Sequence, residues 1–128
     1  MMHENRERLR EDFERDGIVF PLPVLSARET NELRRSWDRL EKEESLDGRA
    51  TTTTHSRHFD LPFVQEIVRS PSVLDYVELV LGPDITLFGT RFFCKYPSAS
   101  GHHVSWHQDL DSCDLHPPIA CTAWLAKD

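Results

Sequence analysis

The chain predicts an α+β fold in which helices come first and strands follow. Three observations carry this. Residues 1–82 place apolar side chains at helical spacing among dense charge, as in Leu33, Trp37 and Leu40. Residues 26–29 read S-x-x-E, the capping-box pattern of a helix start. From residue 83 onward the period changes, and "ITLFGTRFFCKY" (85–96) is rich in β-branched and aromatic residues with no helical stripe. Helices before strands suit an α+β domain or a helix-decorated β-barrel.

Taken in order, residues 4–15 are charged and set Leu9 and Phe13 four apart, on one helical face. "GIVF" (17–20) predicts a short apolar strand closed by Pro21 and Pro23. Ser26 and Glu29 open the helix that carries Leu33, Trp37 and Leu40, and "EKEES" closes it. "TTTT" (51–54) belongs to a loop. Asp60 is placed to cap a short helix running through Val68. Ser70-Pro71 opens another, because proline suits the first helical turn. Its apolar face is Leu74, Val77 and Leu81, and Gly82 is its stop. In the following run, alternation places Leu87, Gly89, Arg91, Phe93 and Lys95 on one face. Phe88, Thr90, Phe92, Cys94 and Tyr96 take the other. "PSASGHH" (97–103) is a loop, "VSWHQDL" a strand or strand end, and "IACTAWLA" (119–126) a further strand after the "HPP" break.

The 128 residues correspond to one domain, helical over 1–82 and strand-forming over 83–128. The net charge is -7, and acidic residues outnumber basic ones in both 1–50 and 51–128. That argues against a nucleic-acid or anionic-membrane surface. No run has the length of a membrane span, and the charged start lacks the apolar stretch of a secretory signal. The cysteines, Cys94, Cys113 and Cys121, are odd in number and contain no CxxC pair. They fit reduced thiols in a cytoplasmic setting.

"SWHQDLDS" (105–112) holds the most pointed chemistry. In an extended backbone, residues i and i+2 point the same way. His107 and Asp109 then share a face and Gln108 points away. An imidazole beside a carboxylate is two-thirds of the 2-His-1-carboxylate triad that holds non-haem Fe(II) with positions open. H-x-D is a weak motif alone, and a hydrogen-bonded structural pair is the competing reading. Trp106 beside it, a strand-like run before it and "AWLA" after it strengthen the metal reading. His102, His103 and His116 read as loop histidines.

Four blocks in order resemble the phytanoyl-CoA dioxygenase family of Fe(II)/2-oxoglutarate oxygenases. They are "FERDGIVFPLPVLSARETNELR", "PSVLDYVELVLGPDITLFGTRFFCKYP", "VSWHQDL" and "PPIACTAWLAKD". The resemblance implies a double-stranded β-helix, a cupin-like jelly roll with N-terminal helices outside, of which this chain holds the N-terminal portion. It implies Fe(II) on His107 and Asp109, with 2-oxoglutarate as co-substrate and O2 as oxidant. It also implies co-substrate contacts from Trp124 and from the strand bearing Arg91, Phe93 and Lys95, with a further basic residue near Arg57 or His58. Against this, Trp124 also reads as plain core, and Arg91 and Lys95 as solvated strand charges.

The resemblance further implies a second metal-binding histidine and a co-substrate arginine well downstream. No histidine follows His116 and no arginine follows Arg91. The expectation is therefore a partial site, little turnover by this chain alone, and self-association through unpaired strand edges. The implied reaction is oxidation of a small molecule coupled to decarboxylation of 2-oxoglutarate. Related halogenases carry a small residue at the place of Asp109, so its presence points to hydroxylation. Two other classes compete: a truncated, non-catalytic β-domain whose metal motif is a relic, and a cupin-like isomerase or metal-binding protein that does not use 2-oxoglutarate. Metal-dependent 2-oxoglutarate binding separates them.

Overall fold

A computed structural model describes residues 2–44, 55–94 and 105–126 of the chain. The described residues form four α-helices: α1 (Met2–Asp16), α2 (Ala27–Glu43), α3 (Pro62–Val68) and α4 (Pro71–Leu81). Two 3-10 turns, Arg57–Phe59 and Asp109–Ser112, complete the regular structure.

Each helix boundary has a local cause. Ser26 and Glu29 form the reciprocal capping box at the start of α2, with Ser26 N donating to Glu29 Oε2 at 2.7 Å and Glu29 N donating to Ser26 Oγ at 3.3 Å. Proline occupies the first turn of both α3 and α4, where a missing N–H costs nothing. Gly17 and Gly82 end α1 and α4 at positive φ (72° and 85°), and their amides donate to Phe13 O and Glu78 O. The predicted Asp60 cap is not formed. Leu61 stands at the N-cap of α3 with no side-chain hydrogen bond, and the Asp60 carboxylate is taken instead by Arg57.

The core is small. Trp37 and Leu40 of α2 are buried, with Leu61, Phe63, Phe92 and Cys94 packed against them. Val64 of α3 and Val73 of α4 are the other buried apolar residues among those described. The Trp37 and Phe92 rings lie 4.5 Å apart, centre to centre. Helix α1 packs on α4, where Arg6 donates to Asp75 O at 3.3 Å, and α3 packs on both α4 and the first 3-10 turn. Arg57 ties that turn to the end of α2: its guanidinium is bidentate on Glu44 (2.6 and 2.9 Å) and also bonds Asp60.

The strand expectations are corrected here. Among the described residues there is no β-sheet and no jelly-roll strand, only one isolated antiparallel bridge between His55 and Arg91. Ile18–Phe20 is unpaired, and Ile18 and Phe20 are exposed. Residues 85–94 and 119–126 carry no ladder, and "VSWHQDL" leads into a 3-10 turn rather than continuing as strand. The physical reason is that β-branched and aromatic composition sets a local preference for extended backbone, whereas a strand also requires a partner edge to hydrogen-bond with. The described residues supply that partner only around Thr90, where Ser56 N donates to Thr90 O at 2.8 Å. The alternation is kept over residues 90–94, whereas Leu87 and Phe88 are both exposed. Phe92 and Cys94 face the α2 core, and Phe93 faces the other way. Lys95, Tyr96, "TTTT" and the "PSASGHH" loop lie outside the described residues.

Candidate functional site

Three chain segments meet at one open cleft of about 320 Å³. Phe93 comes from the extended run after α4. Ser105, Trp106, His107 and Asp109 come from the segment entering the second 3-10 turn. Thr122 and Trp124 come from the last described segment. Helix α2 positions the first of these indirectly. Trp37 holds Phe92, and the alternation of an extended backbone then turns Phe93 into the cleft.

His107 and Asp109 are brought together as their spacing predicts. Gln108 between them is extended (φ -111°, ψ 131°), and the 3-10 turn starts at Asp109 itself. His107 Nε2 lies 3.2 Å from Asp109 Oδ1. His107 Nδ1 lies 2.8 Å from the Ser105 carbonyl. A carbonyl only accepts, so Nδ1 is the donor, and Nε2 is the nitrogen that faces the carboxylate. The Ser105 carbonyl and then the Asp109 carboxylate raise the His107 pKa above its ordinary value. The other carboxylate oxygen, Asp109 Oδ2, accepts from Thr122 Oγ1 at 2.7 Å.

The aromatic wall is built by Phe93 and Trp124. Their rings stack at 5.1 Å with 16° between planes, and the Arg91 guanidinium sits 4.8 Å over Phe93. Five of the residues singled out from the sequence, Phe93, Trp106, His107, Asp109 and Trp124, therefore line one cleft. Trp124 is exposed, which removes the plain-core reading for it. Arg91 reaches the wall through Phe93 without lining the cleft, and Lys95 lies outside the described residues. Arg57 and His58 are elsewhere. Arg57 is engaged by Glu44 and Asp60, and His58 Nδ1 is 2.9 Å from Thr90 Oγ1. His116 lies 3.2 Å from Asp114 on the surface, away from the cleft lining. His102 and His103 are outside the described residues.

Sequence reasoning missed Ser105 and Thr122. Both carried a signal: Ser105 is two before His107 and Thr122 two before Trp124, the spacing that shares a face in extended backbone.

The donor set is one imidazole nitrogen and one carboxylate oxygen. In a six-coordinate site with bonds near 2.1 Å, adjacent donors stand about 3.0 Å apart. The 3.2 Å between Nε2 and Oδ1 has the dimension of such an edge. Among the described residues no group of three or more metal-ligating side chains occurs, so the pair is not joined there by a third. Also among those residues, no helix is long and apolar enough to cross a membrane.

No curated protein and no solved structure gave a significant match to this chain. A family model, described as phytanoyl-CoA dioxygenase (PhyH), matches residues 13–128. That match spans α2, α3, α4 and every residue of the cleft, and on it the chain belongs to the phytanoyl-CoA dioxygenase family.

Proposed function

We propose that this chain carries the first two metal ligands of an Fe(II)/2-oxoglutarate-dependent dioxygenase that hydroxylates a small molecule. The observation that carries the reading is the pairing of His107 Nε2 with Asp109 Oδ1 at 3.2 Å, at the mouth of a cleft walled by Phe93, Trp106 and Trp124. Membership of an oxygenase family supports it. Nitrogen and oxygen donors together suit Fe(II), and His107 and Asp109 would hold it.

When bound, Fe(II) with 2-oxoglutarate supplies the O2-dependent oxidation, which releases succinate and CO2. The chain's own residues prepare for that. Ser105 O fixes the His107 tautomer, so that Nε2 offers its lone pair once the ring is neutral. Asp109 offers Oδ1 on the same side. The stacked Phe93 and Trp124 rings form an apolar surface along one flank of the cleft. Arg91, over Phe93, places positive charge beside that flank, suited to a dicarboxylate. Trp106, fully exposed, offers a planar surface to a substrate.

A second reading is a non-catalytic domain with a relic metal motif. It is favoured by the absence of a third ligand beside the pair among the described residues. Anaerobic titration with Fe(II) and 2-oxoglutarate decides between them. The dioxygenase reading expects a weak visible charge-transfer band that His107→Ala abolishes. Neither a band nor Fe(II) binding at saturating concentrations would establish the relic.

A further inference from the structure

We infer that Thr122 is the positioning residue for Asp109, and that its hydroxyl restricts this carboxylate to a single metal-facing oxygen. The inference rests on the metal role proposed for His107 and Asp109. Its ground is the division of labour between the two carboxylate oxygens. Oδ2 accepts from Thr122 Oγ1 at 2.7 Å, the length of a strong charge-assisted hydrogen bond, while Oδ1 faces His107 Nε2 at 3.2 Å. A carboxylate with both oxygens available can chelate an ion through both and occupy two positions. With Oδ2 oriented toward Thr122, Oδ1 is the oxygen turned to His107 Nε2, and binding through it alone would leave room for a chelating co-substrate.

Thr122 is also delivered independently of the residue it orients. It lies 13 residues away, on a segment located by the stack of Trp124 on Phe93. Phe93 in turn follows Phe92, which is packed on the Trp37 core. The hydroxyl is therefore held by the helical part of the molecule through Phe92, Phe93 and Trp124. Asp109 itself is exposed at the start of a 3-10 turn. The β-branch of threonine limits the hydroxyl to few rotamers, which makes it a better clamp than a freely rotating group.

The test is Co(II) titration of the full chain, followed by calorimetry and by the visible ligand-field spectrum. Wild type is compared with Thr122→Val, Thr122→Ser, Asp109→Ala and His107→Ala. Removing a partner outside the ligand set typically costs 10–100-fold in metal affinity. The expected result is a loss of about 10-fold or more in Thr122→Val, with a changed spectrum. Thr122→Ser, which keeps the hydroxyl, stays within a few-fold of wild type. Far-UV circular dichroism is the same for all, because Thr122 is exposed and supports no core. Wild-type affinity and spectrum in Thr122→Val, with binding lost in His107→Ala, would overturn the positioning role and leave the metal reading intact. Binding in wild type no tighter than in His107→Ala and Asp109→Ala would overturn the metal reading, and the role of Thr122 with it.

Discussion

Truncating Trp37 to alanine should remove most of the stability of this chain. Trp37 is 4% exposed, against Phe92 at 4.5 Å and beside Leu40, in a core with few other buried members among the described residues. Aromatic side chains bury 150–250 Å², so the truncation withdraws about 180 Å² of mostly apolar contact. At about 25 cal/mol per Å² that is about 4.5 kcal/mol, an upper figure because the unfolded chain already buries part of this surface. It agrees with the roughly 3–5 kcal/mol typical of tryptophan-to-alanine changes in cores. Small domains have total stabilities of about 5 kcal/mol at the low end, so the loss is comparable to the whole. The assay is urea denaturation followed by far-UV circular dichroism, where Trp37→Ala should show no cooperative transition. Trp37→Phe, which keeps a ring against Phe92, should cost about 1–2 kcal/mol. Fluorescence gives an independent check. Trp106 and Trp124 are 104% and 74% exposed, so the blue-shifted emission belongs to Trp37. In Trp37→Phe, unfolding should no longer shift the emission. A Trp37→Ala variant with a wild-type midpoint would refute the view that α2 and Phe92 share the core that holds the cleft segment.

Two further perturbations test the helical scaffold. Ser26→Ala removes the α2 capping box and should cost about 1 kcal/mol, read as a lower urea midpoint with an unchanged slope. Arg57→Met breaks the tie between Glu44 and the first 3-10 turn and should cost about 1 kcal/mol at neutral pH, allowing for solvent screening at Glu44. The pH dependence has a definite sign. Arg57 holds the Glu44 and Asp60 carboxyls below their ordinary values, so their contribution is present in full above the unfolded values. It is lost as pH falls through the depressed folded values, that is, below about pH 4. The wild-type stability curve should therefore fall more steeply on the acid side than that of Arg57→Met. Equal acid slopes would remove these ion pairs from the account.

The helices were legible in the sequence because their determinants are local. The Ser26–Glu29 box, the prolines at the first turns of α3 and α4, and Gly82 each act within four residues. The Asp60 cap failed because a local pattern was overruled by a neighbour: Arg57, anchored on Glu44, takes the carboxylate. The period-two run holds its faces over residues 90–94, where Phe92 and Cys94 turn inward and Phe93 outward, but not at Phe88, which is exposed. It was read wrongly as to sheet. Side-chain alternation is a property of one extended chain, whereas a ladder is a property of two.

The same division governs the cleft. His107 and Asp109 are two apart, so their adjacency was written in the spacing, and the family in the order of four blocks. What the sequence by itself determined is the capped helices, the two faces of residues 90–94, and the His-x-Asp pair. Only the tertiary structure decided that Trp124 stacks on Phe93 and that Thr122 engages Asp109 Oδ2. It also decided that Arg57 serves the helical scaffold rather than the cleft. Those contacts join residues 13 to 31 positions apart and depend on which loops close around the α2 core, which no local spacing encodes.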